Sequence, residues 1–350
     1  MVFKQSKKMI QNSINMIKKI QFITFIAITI IMAGCQNGCN PNKHTENKRL
    51  EKVTLRQQWF PNAGYAGELF AIYETGKKNN IDITLQAGAD DIDPIKLVLS
   101  GQNTFGIAGA DQILEANEKG ADLVVIGTIN YKSLGCFIAR EEKKIYTPKD
   151  FENKIVGVQN GTSVYLMYKA LLKRGNVDTI KVKEVEAPWD MATFITGAYD
   201  VRPAFYNDET VTLDQKGIKY TVVRPEDYQV NFVGTVYFTT KKIVEEHPED
   251  VQRFVSSLCE GWELALANPQ KSISYLSAFD KNIDSARELQ SLIKGVDYYK
   301  GAGGKALASN KSDWDSMAET LKEFGLLHNY DYNKIVNNTF VNWYHENKSK

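Results

Sequence analysis

Four histidines and four cysteines are the side chains best suited to covalent or metal chemistry in this 350-residue chain, and their placement supports neither. His44 lies in a polar stretch, His247 in EEHPED, and His328 and His345 near the C-terminus, none beside a strand end that carries a nucleophile. There is no HExxH, no GxSxG, no GxGxxG after a strand and no phosphate-binding GxxxxGK[ST]. Cys136 falls in the apolar strand GCFIAR and Cys259 in the helical run VQRFVSSLCEGWELAL, so both read as small core residues. The acidic DDID at 90–93 has the charge of a cation site, but Asp93 before Pro94 reads as a helix N-cap with proline at the first position. The expectation is a chain without catalytic residues, metal ligands or cofactor.

Three other stretches suit the holding of a molecule. WFPNAGYAG, residues 59–67, follows the strand-like VTLRQQ and ends it in Trp59, whose indole can stack on a planar ligand. Pro61, Asn62 and Gly64 make the tight polar turn beside it a surface or cleft feature. In QNGTSVYLMYKALL, residues 159–172, a strand delivers Gly161, Thr162 and Ser163 to a helix start, where free N–H groups and hydroxyls favour acceptor-rich ligand groups. An ordinary N-cap would read the same way. In AYDVRPAFYNDE, residues 198–209, a strand empties into Tyr206, Asn207, Asp208 and Glu209, carboxylates able to accept from an amino or ring N–H; one of the two acids is expected to cap the next helix.

The elements that would position these residues form two blocks. From 53 to about 140, apolar strands alternate with helical patterns: VTLRQQW, AGYAGELFAIYETGKK, IDITLQ, DPIKLVLSG, TFGIAG, DQILEANEKG, DLVVIGTI. The alternation restarts at KIVGVQ and runs to YTVV, and from VGTVYFTT onward the chain is almost wholly helical, with amphipathic runs at 248–268, 283–300 and 311–326. This pattern predicts an α/β fold with a mostly parallel sheet in each lobe: lobe 1 over 53–140, lobe 2 over 141–235, and a return to lobe 1 over 236–350. Crossings are expected near 139–150 and 232–240, making a hinge with a ligand cleft between the lobes.

Before residue 53 the pattern changes. Residues 1–34 carry Lys4, Lys7, Lys8, Lys18 and Lys19, no acid, and then IQFITFIAITIIMAG, the pattern of a signal peptide. Its apolar run is shorter than the roughly 20 residues of a spanning helix. IIMAGC, residues 30–35, resembles a bacterial lipobox, which predicts lipidation of Cys35 and an acyl anchor in the membrane. Residues 35–52 read as a polar tether, in which Cys39 has no evident role. The formal charge of +1 becomes −4 once the five signal lysines are set aside, so nothing suggests nucleic acid as a partner.

On the same three stretches the chain resembles the thiamine-precursor (formylaminopyrimidine) type of ABC transporter substrate-binding proteins, related to the thiamine pyrimidine synthases and more distantly to sulfonate, nitrate and taurine binders. WFPNAGYAG resembles that family's W-x-P-N-x-x-x-x-G opening; DPIKLVLSGQNTFGIAGADQIL and ITGAYDVRPAFYNDE resemble two further segments, and the likeness covers about 53–270. It implies a type II periplasmic-binding-protein-like fold and a lipid-anchored protein facing the periplasm or exterior. The implied partners are a pyrimidine-like ligand and an importer permease. By the same resemblance Trp59 would stack on the ring, Asn62 would bond near it, Glu209 would read the amino edge, Asp111 would be a polar contact, and Gly161, Thr162 and Ser163 would line the second lobe. Gly64–Tyr65 stands where many relatives carry a histidine-containing pair, and the cysteine-rich segment of the eukaryotic synthases is absent. The alternatives are a sulfonate, taurine or nitrate binder, a synthase-like enzyme, and an exported interaction protein without a ligand.

Overall fold

The computed structural model describes residues 52–348. The signal segment 1–34, the lipidation at Cys35 and the tether with Cys39 and His44 lie outside the described residues, apart from Lys52.

Among the described residues, ten strands form two five-stranded sheets. The first has the order β2-β1-β3-β10-β4, built from β1 (Val53–Arg56), β2 (Ile83–Gln86), β3 (Phe105–Gly109), β4 (Leu123–Thr128) and β10 (Thr235–Thr240). The second has the order β7-β6-β8-β5-β9, from β5 (Gly135–Arg140), β6 (Ile155–Val158), β7 (Lys183–Glu186), β8 (Val201–Phe205) and β9 (Tyr220–Val223). β1 is parallel to both β2 and β3, and β6 is parallel to both β7 and β8, as βα units require. β10 and β5 are the strands that arrive from the other lobe, and each runs antiparallel to its two neighbours.

The crossings differ from expectation. The first was expected near 139–150 but occupies 129–134, because GCFIAR, read as the end of lobe 1, is β5 and pairs with β8 and β9 in the second sheet. Its cause is physical: β5 is an apolar run buried on both faces, like β4 six residues before it, and such a pattern carries no mark of which sheet receives it. The second crossing spans 224–234 and ends where β10 starts, rather than covering 232–240.

Helix boundaries follow local chemistry. Asp93 caps the helix Pro94–Leu99 by accepting from the Lys96 N–H at 3.2 Å, as its place before Pro94 predicts. Pro248 opens the 20-residue helix Pro248–Ala267, and Pro269 opens Pro269–Phe279. The long helix presses onto one face of the first sheet, where Phe254 stacks on Phe105 at 3.7 Å between centroids and the fully buried Trp262 stacks on Tyr299 at 4.9 Å. Gly67 makes that approach possible, since a Cβ there would stand 2.4 Å from the Trp262 ring. Truncating a buried tryptophan of this kind costs about 3–5 kcal/mol.

The opposite face of the first sheet is covered by Trp314, Met317 and Leu321 of the helix Lys311–Glu323. The same apolar cluster takes in Leu166, Met167 and Ala170 of the helix Ser163–Arg174, so the second-lobe helix is docked on first-lobe apolar surface. Cys136 and Cys259 are both buried, as their settings predict.

Candidate functional site

β1 ends at Arg56, so Trp59 is not in the strand but in the bend beyond it. Its N–H donates to the Tyr65 hydroxyl at 3.1 Å and its carbonyl accepts from Gly88 at 3.1 Å. Asn62 closes the turn: Oδ1 accepts from the Gly64 N–H at 2.7 Å and Nδ2 donates to the Phe60 carbonyl at 2.9 Å. The Ala63 N–H donates to Glu288 Oε2 at 2.7 Å, from a helix more than 200 residues away. A Cβ at Gly64 would meet Asn62 Oδ1 at 2.8 Å and the Tyr299 hydroxyl at 3.3 Å, which is why glycine stands there. With the backbone held this way, Trp59 stays 38% exposed, whereas Trp262 and Trp314 are fully buried in the core.

Opposite Trp59 stands a residue the sequence reading passed over. Trp189, 52% exposed, lies with its ring centroid 5.8 Å from that of Trp59 at 49°, and Phe60 meets Trp59 edge-on at 5.5 Å. Trp189 belongs to the second lobe, between β7 and the helix Ala192–Ile195. Its loop is held from below by Arg202, a fully buried guanidinium whose Nη1 donates to the Asp190 carbonyl at 2.8 Å and whose Nη2 donates to the Trp189 carbonyl at 3.4 Å. A buried cation needs a counter-ion. Glu209 supplies it at 3.5 Å, and its other oxygen accepts from the Phe205 N–H at 2.7 Å. Burial raises the Glu209 pKa, with Arg202 and the backbone donors opposing that rise. Both Glu209 oxygens are thus engaged by protein groups, and its link to the cleft runs through Arg202 to Trp189.

The second-lobe turn is built as a helix start. Gly161 has φ +78°, and Thr162 caps Ser163–Arg174: its hydroxyl accepts from the Tyr165 N–H at 3.2 Å and donates to the Gln159 carbonyl at 2.7 Å. The Ser163 hydroxyl acts on the buried carboxyl of Asp111, which lies in the first turn of the first-lobe helix Ala110–Glu118. Desolvation raises the Asp111 pKa, and the Ser163 hydroxyl and the backbone N–H of Gln112 work against the rise. Asp111 and Ser163, predicted separately, are therefore brought together across the two lobes.

The NDE end of β8 also meets the first lobe. Asn207 Nδ2 donates to the Tyr299 hydroxyl at 2.9 Å and to Ser291 Oγ at 3.2 Å, both on the helix Ser285–Tyr299. That helix carries further contacts along one side: Arg287 to Asp208, Lys294 Nζ to Asp214 at 2.6 Å and to the Tyr220 hydroxyl at 2.8 Å, and Tyr298, whose hydroxyl accepts from Arg224 at 3.2 Å. Residues 287, 291, 294 and 298 recur at the i, i+4, i+7 spacing of one helix face. The adjacent face enters the first-lobe core through Leu292 and Tyr299. The helix straps one lobe to the other.

Tyr206 is the site candidate that stands apart. The Arg224 guanidinium lies 4.2 Å from its ring and Lys294 lies 5.1 Å from it. It lines a cavity of about 260 Å³ whose walls include none of Trp59, Gly161 or Glu209. Two further polar residues end strands in the way ligand-contacting residues do in open α/β sheets: Gln57 directly after β1 and Gln159 directly after β6 are both buried, and Gln57 Oε1 and Gln159 Nε2 have no hydrogen-bond partner. A polar amide closing an apolar strand was the signal available in the sequence for both.

Residues 77–272 match the family described as NMT1/THI5 like. A formylaminopyrimidine-binding protein of Halalkalibacterium halodurans is 22% identical over 264 residues, 74% of this chain and 78% of its own. The riboflavin-binding protein RibY of Chloroflexus aurantiacus is 21% identical over 247 residues, 69% and 68% of the two chains. Among solved structures, a putative sulfonate ABC transporter periplasmic sulfonate-binding protein SsuA of Methylobacillus flagellatus KT aligns with a TM-score of 0.67 at 16% identity, covering 86% of this chain and 95% of the other. The desulfurization enzyme DSZB aligns at 0.61 with 12% identity, covering 85% and 100%. These likenesses identify the two-lobed periplasmic-binding-protein fold. The family match runs from before β2 into the helix Pro269–Phe279 and includes both crossings, and the chain belongs to the NMT1/THI5-like family.

Proposed function

We propose that this chain is the solute-binding protein of an ABC importer, and that it captures a planar heterocycle of the thiamine pyrimidine-precursor kind between its lobes. The observation that carries the reading is the pair of exposed indoles, Trp59 from the first lobe and Trp189 from the second, 5.8 Å apart with nothing but each other and Phe60 to stack on. A small widening of that gap admits an aromatic ring between the two faces, and stacking of this type is worth about 0.5–1.5 kcal/mol per pair beyond area burial. Family membership and the name of the formylaminopyrimidine-binding relative support the same class of ligand.

In this reading the ligand binds the Trp59 wall and closure brings Trp189 over it. Asn62, Gly161, Thr162 and Asn207 act mainly by shaping the walls, through the hydrogen bonds already described. Differential affinity for the closed form shifts the population toward it, and the permease receives that form. The lipid on Cys35 would hold the protein at the membrane, facing the periplasm or exterior.

The sulfonate alternative draws on the fold likeness, but the helix start it needs is already served. Thr162 is spent on its own cap, and Ser163 on the Asp111 carboxyl, an acceptor standing where an anion would bind. The enzyme alternative draws on DSZB. Against it, both described cysteines are buried with their thiol pKa values pushed up by desolvation, the opposite of an activated nucleophile.

The test is a thermal-shift panel of pyrimidines, thiamine, riboflavin, sulfonates and nitrate, followed by titration of any hit. A heterocycle should raise the melting point, and Trp59→Ala or Trp189→Ala should each weaken it about tenfold. A shift from sulfonate or nitrate alone refutes the reading.

A further inference from the structure

The cavity beside the two crossings, away from the indole pair, has its own chemistry. Its walls are Tyr131 and Lys132 of the first crossing, Arg224 and Glu226 of the second, Tyr206 at the end of β8, and Lys294, Asp297 and Tyr298 of the strapping helix. At about 260 Å³ it equals roughly nine waters' share of liquid volume, enough for a small organic molecule.

Hydrogen-bond capacity in this cavity is unbalanced toward donors. Three cations line it, of which Lys294 is paired with Asp214 at 2.6 Å, leaving Lys132 and Arg224 to face Glu226 and Asp297. Glu226 reaches Lys132 only at 3.4 Å and Arg224 at 3.8 Å, and Asp297 is drawn away to Lys300 at 2.7 Å. A lysine ammonium offers three donors and a guanidinium five, so Lys132 and Arg224 keep donors beyond what Glu226 uses. Among the described residues the hydroxyls of Tyr131 and Tyr206 have no hydrogen-bond partner, while their rings carry Lys132 at 5.9 Å and Arg224 at 4.2 Å. Cations held against rings, with spare donors around an open space, recognise an oxyanion.

We propose that this cavity is a second binding site, for a small molecule bearing a carboxylate or phosphate group, held by Lys132, Arg224 and the Tyr131 and Tyr206 hydroxyls. Because those walls come from both crossings, from the second lobe and from the strapping helix, the occupant bridges the parts that meet when the lobes are together. The site is independent of the heterocycle reading of the cleft.

The experiment is a melting series on the mature protein with inorganic phosphate, acetate or chloride at matched ionic strength and pH. A saturable rise above the chloride curve is expected, about 5 °C at a hundredfold excess over Kd. A rise with phosphate alone assigns the phosphate class, and a rise with acetate alone the carboxylate class. Lys132→Met should abolish the rise. Tyr131→Phe, which removes a single unbonded hydroxyl and so leaves the fold intact, should weaken it several-fold. Phosphate and acetate curves that coincide with chloride, or a rise that persists undiminished in both variants, overturn the proposal.

Discussion

Glu68 offers the sharpest test of how the first lobe is built. It is fully buried in the helix that follows the Trp59 turn; its Oε2 accepts from Gln57 Nε2 at 2.9 Å and its Oε1 from the Tyr237 hydroxyl at 2.8 Å, and Tyr237 in turn accepts from Trp262 Nε1 at 2.8 Å. No cation offsets this burial among the groups that act on it, so desolvation pushes its pKa from 4.5 up to about 8, against the smaller effect of the two hydrogen bonds. The folded state therefore keeps a proton that the unfolded chain releases above pH 4.5. Stability contributed by the protonated form is fully present below that value and falls by about 1.4 kcal/mol per pH unit until pH passes about 8, where the loss levels off. By pH 7 this loss is about 3 kcal/mol, and across the whole window of the order of 5 kcal/mol. Glu68→Gln removes the ionisation while keeping the shape. Tyr237 can still donate to its oxygen, and a flip of the Gln57 amide turns the now unpartnered Oε1 of Gln57 toward the new NH₂. Denaturant unfolding at pH 5, 6, 7 and 8.5 should give wild-type and variant curves that converge at the acid end and diverge above it, with the variant more stable. Parallel pH dependences in the two proteins would refute the assignment of a neutral, buried carboxylic acid.

Two further outcomes follow from the same contacts. Lys294→Met removes the strapping helix's hold on Asp214 and Tyr220 without touching the indole walls; it should weaken the cleft ligand about threefold to tenfold and enlarge the radius of gyration in solution scattering, whereas unchanged affinity and radius would show that the strap does not govern closure. Cys35→Ser should move the protein from the membrane fraction to the soluble fraction of its host, and retention in the membrane would eliminate the lipid anchor.

Much of the fold was legible because each strand and helix announces itself locally. The apolar runs IDITLQ, TFGIAG and KIVGVQ became β2, β3 and β6, and proline or a short polar side chain marked helix starts at Pro94, Ser163 and Pro248. Sheet membership was not legible at β5, since pairing partners 60 or more residues later decide it and the strand's own pattern is the same in either sheet. The site divides along the same line. Trp59 and Ser163 could be picked out because one follows a strand end and the other opens a helix, positions that local pattern reveals; Asp111 came only from the family resemblance. Trp189 could not: alone it is a tryptophan in the turn APWD, and its meaning comes from Trp59, 130 residues earlier.

The strapping helix shows why such information is lost rather than merely faint. Its sequence SARELQSLIKGVDYY carries a polar stripe at 287, 291 and 294 beside an apolar one at 288, 292, 295 and 299 only if Glu288 is left out, and Glu288 is the residue that caps the Ala63 N–H under the indole turn. A carboxylate among core positions looks like a break in amphipathicity. In the fold it is the partner of a backbone donor in the Trp59 turn, which would otherwise be buried unpaired at a cost of about 1–3 kcal/mol. The same helix therefore holds the first lobe's Trp59 turn with Glu288 and grips the second lobe with Arg287, Ser291 and Lys294. In the proposed reading, ligand contact at Trp59 and closure between lobes are joined through one rigid element, and the residues that join them are polar for reasons that exist only once both lobes are in place.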